Sequence, residues 1–148
     1  MLPLADGFYL AFYPLAYVAL MQLIRSEVKR LPLSGWLDCV VAGLGAAAVG
    51  AALGFETILR GASGPPMQFA VNLAYPIADL ILLALAIGGL AIIPTWKNRR
   101  WLILVLGCAA NAVGDIIYLV QSSAGTYRVG TMLDATWPAA IFLISLAV

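Results

Sequence analysis

Two aspartates lie inside long apolar stretches of this sequence, where a charge is costly to hold. Asp79 belongs to the run from Met67 to Ile93, and Asp115 to the run from Trp101 to Gln121. A carboxylate at the centre of a membrane helix costs roughly 2.5–3.5 kcal/mol on insertion scales. Two such groups close together in a low dielectric do not both ionise cheaply, so we expect one of them to stay protonated or the pair to share a cation.

Other polar residues accompany the two aspartates at helical spacing. Asn72, Tyr75 and Asp79 are three and four residues apart and share one helix face, as do Asp115 and Tyr118. Each aspartate lies fourteen residues from the predicted inner end of its helix. At about 1.5 Å per residue, both carboxylates then sit at the same depth, roughly 21 Å above the cytoplasmic edge. The sequence therefore predicts that they are neighbours.

A sequence repeat of about 62 residues places aromatic side chains at the same depth as the two aspartates. The sequence therefore predicts a polar, aromatic cluster that opens toward the outside. One interpretation is a pocket for a small cationic, aromatic or polyol-like ligand, or a proton-sensitive switch. The other is a satisfied network that holds the helices in register, with bonds that average about 0.6 kcal/mol each in membrane proteins. The candidate ligand-binding residues are Tyr13, Tyr17, Asn72, Tyr75, Asp79, Asn111, Asp115, Tyr118, Asp134 and Trp137.

The composition sets the elements that must position these residues. The chain has 148 residues, of which 64% are hydrophobic and 10% charged. Soluble domains carry about 25% charged residues, so this composition predicts an all-α integral membrane protein. We expect one transmembrane domain over residues 1–148, with helices at about 7–24, 36–54, 67–93, 101–121 and 131–148. The net charge of +1 gives no indication of nucleic-acid binding.

The basic residues predict the orientation of these helices. The loops after the first and third helices hold six lysines and arginines, and the other two loops hold two. The positive-inside rule then places the N-terminus outside and the C-terminus in the cytoplasm, and we expect a multi-pass protein of the cell inner (cytoplasmic) membrane. The last helix is still apolar at Val148. We therefore expect the chain to be a fragment of a longer protein, with a cytoplasmic domain attached at its C-terminal end.

A repeat with a period of about 62 residues runs through the chain. Tyr13-Pro14, Tyr75-Pro76 and Trp137-Pro138 recur at that spacing, and the even helices echo it at 64 residues, as in Gly43 with Gly107 and Gly50 with Gly114. Such self-similarity predicts a duplicated two-helix unit whose copies run parallel. In the second helix, four small residues at intervals of four predict a close-packing face. They are Ala42, Ala46, Gly50 and Gly54.

The sequence lacks the residues that several kinds of catalytic, cofactor and metal sites require. The chain contains no histidine, no lysine inside a predicted helix and no recognisable catalytic motif, so we predict no enzyme activity, no cofactor and no metal site. Cys39 and Cys108 lie in different predicted helices without a CxxC spacing, which favours ordinary helix packing over a redox or metal pair.

Four segments carry a resemblance to a known family. They are residues 6–17 (DGFYLAFYPLAY), 36–38 (WLD), 72–79 (NLAYPIAD) and 115–118 (DIIY). The chain resembles the membrane-embedded N-terminal sensor region of multi-pass bacterial diguanylate cyclases and cyclic-di-GMP phosphodiesterases. In that family the helices precede cytoplasmic GGDEF and often EAL domains, sometimes with a PAS domain between them. Neither a GGDEF nor an EAL motif occurs in this sequence, so the resemblance implies a sensory or anchoring role without an activity of its own.

Three functions follow as expectations. The first is a sensor that relays an external or membrane signal to a cyclic-di-GMP output domain in the same chain. The second is a small transporter or channel that uses Asp79 and Asp115 as a cation or proton site. The third is a passive anchor that localises its output domain or brings it into a homodimer. The partners expected are the lipid bilayer, a small extracellular ligand or cation, and the output domain.

Overall fold

The computed structural model describes residues 4–27, 66–93 and 98–147, together with residues 34, 37, 40–45, 48, 49 and 52. Four α-helices have their bounds within these ranges: α1 (Leu4–Glu27), α2 (Pro66–Ile92), α3 (Asn98–Ser123) and α4 (Thr136–Ala147). Residues 40–45 are also helical. A short 3-10 helix, Met132–Ala135, precedes α4. Throughout the described ranges the chain is helical or looped, without strands, which confirms the predicted all-helical class.

The helices extend beyond the apolar runs that predicted them. α1 is three residues longer at each end than the predicted 7–24, and α3 includes Arg99 and Arg100, which we expected in a turn. The prediction placed helix ends where hydropathy changes, but backbone hydrogen bonding continues through polar residues until a cap or a proline interrupts it. α2 begins at Pro66, one residue early, where the missing N–H of proline has no cost.

The predicted second helix lies mostly outside the described residues. Residues 40–45 are helical, in line with the prediction for 36–54. Of the predicted small-residue face, Ala42 is half-buried, and the remaining three members are not among the described residues. The close approach occurs at the adjacent Gly43, where a Cβ would lie 2.9 Å from the Cβ of Ala84 on α2. Segment 40–45 therefore packs against α2 through a glycine.

The end of α3 carries a glycine cap. Gly125 has a φ of 66°, its N–H donates to the carbonyl of Ser122, and the N–H of Thr126 donates to the carbonyl of Gln121. This is the Schellman arrangement, which satisfies the last carbonyls of a helix. The chain then turns back at Gly130, whose φ is 85°.

The start of the last helix differs from the prediction. We expected one α-helix from about Thr131, but residues 132–135 form the 3-10 turn and α4 begins only at Thr136. Pro138 has no N–H to donate to the carbonyl of Asp134, so nothing enforces α-helical bonding across that turn. The N–H of Asp134 instead donates to the carbonyl of Thr131 at 3.0 Å.

The helices pack in chain order, α1 on α2, α2 on α3 and α3 on α4. At Gly107 of α3, a Cβ would lie 2.8 Å from Cγ1 of Ile144 and 3.1 Å from the carbonyl oxygen of Ala140 on α4. Gly43 and Gly107 are counterparts in the 64-residue spacing, and each meets the helix that follows it. The glycines let backbones approach closely, which membrane helices need in order to pack.

An apolar core occupies one end of the bundle. It includes the buried residues Leu20, Ile24, Leu82, Ile93 and Trp101. The opposite end of the same helices holds the polar residues described in the next subsection. The bundle thus has an apolar layer and a polar layer.

Three described segments are long and apolar enough to cross a membrane. They are Gly7–Glu27, Leu73–Ile92 and Arg99–Ser123. Large apolar side chains point outward on them, such as Phe8 and Leu15, while Asp79 is only 1% exposed. A soluble monomer rarely exposes large contiguous apolar surface, so the outward side chains are compatible with a lipid environment.

Candidate functional site

The tyrosine of the first aromatic-proline unit joins the two aspartates. Tyr13 on α1 donates its hydroxyl to Oδ1 of Asp79 on α2 at 2.9 Å. The Tyr13 hydroxyl oxygen also lies 3.3 Å from Oδ2 of Asp115 on α3. All three side chains are buried. Asp79 and Asp115 are therefore neighbours, as their equal depth predicted, and one phenolic oxygen touches both.

Two further donors complete the network. Asn111, one helical turn before Asp115 on α3, donates its Nδ2 to Oδ1 of Asp79 at 2.7 Å. Trp137 on α4 donates its indole N–H to Oδ1 of Asp115 at 2.6 Å. The network therefore joins all four helices. We call these five residues, Tyr13, Asp79, Asn111, Asp115 and Trp137, the carboxyl network.

One oxygen of the network has no donor. Oδ2 of Asp79 is buried, and no donor among the described residues reaches it. The Asp115 carboxyl lies beside Asp79, since the Tyr13 hydroxyl oxygen contacts both, but two ionised carboxylates both accept and cannot bond to each other. A buried polar atom without a partner is costly, so this oxygen is the unusual feature of the network.

The other predicted aromatic residues surround the network. Tyr17, one turn after Tyr13, donates its hydroxyl to the carbonyl oxygen of Ala78 at 2.7 Å. The ring of Tyr75 lies edge-on to that of Tyr13 at 6.3 Å. Tyr13, Tyr75 and Trp137, the three residues that precede a repeated proline, therefore all lie at or beside the carboxyl network.

A glycine allows Trp137 to reach Asp115. A Cβ on Gly114 would lie 2.6 Å from Oγ1 of Thr136 and 3.8 Å from the indole nitrogen of Trp137. Thr136 in turn donates to the carbonyl of Leu133 at 2.6 Å and fixes the start of α4. The close approach of α3 and α4 at Gly114 is what brings the indole N–H within bonding distance.

A second polar group lies beside the network, nearer the α3–α4 loop. Tyr127 donates its hydroxyl to Oδ1 of Asp134 at 2.8 Å, and the N–H of Gly130 donates to Oδ2. The hydrogen bond from Tyr127 holds the pKa of the Asp134 carboxyl below its ordinary value, and the Gly130 N–H adds to this effect. The same bond to Asp134 raises the pKa of the Tyr127 hydroxyl. We call Tyr127, Gly130 and Asp134 the loop group.

Aromatic rings connect the loop group to the carboxyl network. The ring of Tyr118 packs edge-on against those of Tyr127 and Trp137, with ring centroids 4.8 Å and 5.9 Å apart. Sequence reasoning placed Tyr118 and Asp134 in one cluster with the aspartate pair. The structure places Tyr118 between the two groups, while Asp134 bonds within the loop. The side chain of Asn72 lies outside the described part of the chain.

Several participants were not among the predicted site residues. Tyr127 lies in a loop, where helical spacing gives no information, and Ala78 contributes a backbone carbonyl that side-chain patterns do not reveal. Gly114 was noticed only as a member of the repeat. Cys108 is a buried free thiol of the apolar core, as packing predicted, whereas Cys39 lies outside the described residues.

An open groove of about 630 Å³ runs along α1 on the apolar side of the network. Its walls are apolar, with Phe12, Ala19 and Leu23 on one side and Leu104 and Ile144 on the other. The carboxyl network does not line it. Asp79 and Asp115 are 1% and 9% exposed, so both are buried beside this mainly apolar groove and do not open into it.

Comparisons with protein families, with curated proteins and with solved structures find no match to this chain. A pair of buried carboxyls with three neutral donors can bind a proton or a small cation, and it can hold α1 in place by hydrogen bonds.

Proposed function

We propose that this chain is a membrane-embedded sensory domain, in which the carboxyl network holds α1 in one of two positions. The observation that carries the proposal is the Tyr13 hydroxyl, which links α1 to buried carboxyls on two other helices. A change in the charge of those carboxyls changes what Tyr13 bonds to. The signal is then a shift of α1 relative to the other helices.

The packing around α1 supports such a movement. α1 packs on α2, and its C-terminal half also joins the apolar core through Leu20 and Ile24. Nearer its N-terminal end, α1 reaches α3 through the side chain of Tyr13. The groove beside α1 also leaves it only partly enclosed. A switch needs two arrangements of similar free energy, and a helix that borders an open groove and has polar bonds at one end meets that condition better than one buried on all sides.

The proposed setting is a multi-pass arrangement in a bacterial inner membrane, with the N-terminus outside. The α3 segment Arg99–Ser123 has 25 residues, or roughly 37 Å of helix, against a hydrocarbon core of about 30 Å. Arg99 at its start is then cytoplasmic, and Arg128 in the loop after it is outside. Single cysteines at these positions, in a variant without Cys39 and Cys108, test this orientation. We expect a membrane-impermeant reagent to label Arg128→Cys in intact cells and Arg99→Cys only after permeabilisation; labelling of both from one side would refute it.

The proposed output is a cyclic-di-GMP enzyme that follows in the same chain, as the resemblance of residues 6–17 and 72–79 implies. The test is the cyclic-di-GMP content of cells that carry the gene in its natural reading frame. We expect Tyr13→Phe to change this content or its response to the medium, and the exposed Tyr9→Phe to leave both unchanged. An identical response in Tyr13→Phe and wild type, at equal protein levels, would reject the sensory role of the network.

A transporter of protons or small cations is the second candidate. It is favoured by Oδ2 of Asp79, which is buried without a hydrogen-bond donor among the described residues. Intramembrane carboxylates mark ion pathways in many membrane proteins. Purified protein in liposomes with an internal pH dye separates the two functions. A proton or cation flux that an imposed gradient drives and that Asp79→Asn abolishes would establish transport. Vesicles whose internal pH stays constant under the same gradient would support sensing.

A further inference from the structure

We infer that the Asp79–Asp115 pair is a binding site for a single proton, carried on Oδ2 of Asp79 and donated to Asp115. The inference deepens the proposed function, on which it rests for the use of the site: it names the ligand whose gain and loss would move α1.

Each oxygen of the pair has a different environment. Oδ1 of Asp79 accepts from Asn111 at 2.7 Å and from Tyr13 at 2.9 Å, and Oδ1 of Asp115 accepts from Trp137 at 2.6 Å. The single hydroxyl hydrogen of Tyr13 serves one acceptor at a time, and the shorter contact is to Asp79. Oδ2 of Asp115, 3.3 Å from the Tyr13 oxygen, is then short of a donor, and Oδ2 of Asp79 has none.

One added proton satisfies both oxygens. On Oδ2 of Asp79, it donates to the Asp115 carboxyl, which lies beside Asp79 because the Tyr13 hydroxyl oxygen contacts both side chains, at 2.9 and 3.3 Å. Asp79 is the better carrier, because it is the more deeply buried of the two carboxyls and its Oδ2 has no donor to displace. In the protonated form its Oδ1 still accepts the bonds from Asn111 and Tyr13. Carboxyl pairs that share a proton in this way lose half of their negative charge, which removes the repulsion between like charges.

Among the described residues, no positive charge lies beside Asp79 to neutralise it. The titratable groups that face Asp79 are Tyr13 and Tyr17 of α1 and Asp115 and Cys108 of α3. Each of these is neutral or negative, and the contribution of α4 is the neutral indole of Trp137. No lysine, arginine or histidine occurs within any of the predicted membrane spans.

A metal ion fits the site less well than a proton. Within the described residues, no group of three or more cysteine, aspartate, glutamate or histidine side chains converges at the pair or elsewhere. The donors already present, two N–H groups and a hydroxyl, also point their hydrogens at the oxygens that a cation would need. A monovalent cation such as sodium remains the competitor that an experiment must separate from a proton.

Infrared spectroscopy of the full chain in lipid bilayers tests the inference directly. A protonated carboxyl gives a carbonyl stretch that is distinct from the carboxylate bands and shifts in D₂O. We expect the wild type to show this band at neutral pH, with the intensity of one carboxyl per chain. Because the band is read from the wild type, the test does not depend on whether a variant folds.

Two variants and one salt exchange assign the band. We expect Asp79→Asn to remove it, because the amide replaces the proton donor, and Asp134→Asn to keep it, because that carboxylate lies in the loop group. Replacing choline chloride by sodium chloride at constant pH is expected to leave the band unchanged. A wild type without the band, a band that persists in Asp79→Asn, or a band that sodium abolishes would each overturn the inference.

The infrared test and the cyclic-di-GMP test fail independently. A one-proton band together with an output that ignores Tyr13→Phe would keep the proton site and reject the sensory role. An output that depends on Tyr13, without a protonated carboxyl in the wild type, would do the reverse.

Discussion

Removal of the Tyr13 hydroxyl is the sharpest test of whether the carboxyl network holds α1 in place. Tyr13→Phe keeps the buried ring and its edge contacts with Phe12 and Tyr75. It deletes only the oxygen that touches Asp79 and Asp115. The variant therefore isolates the polar link from the apolar packing of the same side chain.

The expected loss of stability is modest because the acceptors keep other partners. A hydrogen bond to a charged group is worth about 1.5–3 kcal/mol in soluble proteins, whereas those between membrane helices average about 0.6 and reach about 1.7 kcal/mol. Without Tyr13, Oδ1 of Asp79 still accepts from Asn111. The proposed proton still joins Asp79 to Asp115. We therefore expect Tyr13→Phe to lower the free energy of unfolding by roughly 0.6–1.7 kcal/mol, within the membrane range.

Reversible unfolding in bicelles, followed by tryptophan fluorescence or steric trapping, measures this difference. Tyr9→Phe is the matched control, because Tyr9 lies on the same helix but is 68% exposed. We expect the control to match the wild type within error. Equal stabilities of the Tyr13→Phe and Tyr9→Phe variants would show that the network does not hold α1, and the reasoning from geometry would fail.

Three further predictions address the packing and the loop. Gly107→Ala places a Cβ against Ile144 and should lower the free energy of unfolding by about 1–3 kcal/mol. The control Gly45→Ala, which has no atom near its Cβ, should be neutral or slightly stabilising. Equal effects of the two variants would refute the close approach of α3 and α4. Because the folded pKa of Asp134 is lowered, its contribution is complete above the pKa of the unfolded chain and is lost as the pH falls through the folded pKa. Exchange of the Gly130 amide, corrected for its intrinsic rate, should therefore accelerate on acidification, and an unchanged rate would contradict this. Tyr127→Phe should speed that exchange already at neutral pH, and wild-type protection in this variant would show that the hydroxyl does not order the loop.

The sequence alone was sufficient for the all-helical class and for the proximity of the two aspartates. Apolar runs long enough to span a bilayer predict helices, and counting residues from a basic flank gives the depth of a side chain. These two rules placed Asp79 and Asp115 side by side, and the structure agrees. The period of 62 residues likewise predicted that Tyr13, Tyr75 and Trp137 lie at related positions.

Which donor meets which acceptor was decided only by the tertiary structure. Tyr13 and Tyr17 are one turn apart on α1, yet one bonds the carboxyls and the other a backbone carbonyl. Periodicity gives the face and the depth of a side chain, but its partner depends on the rotation of each helix and on how closely the helices approach. Those quantities are set by contacts such as that of Gly114 with Thr136, which join residues distant in the chain. The lack of a hydrogen-bond donor at Oδ2 of Asp79, on which the proposed proton site depends, is a consequence of that packing.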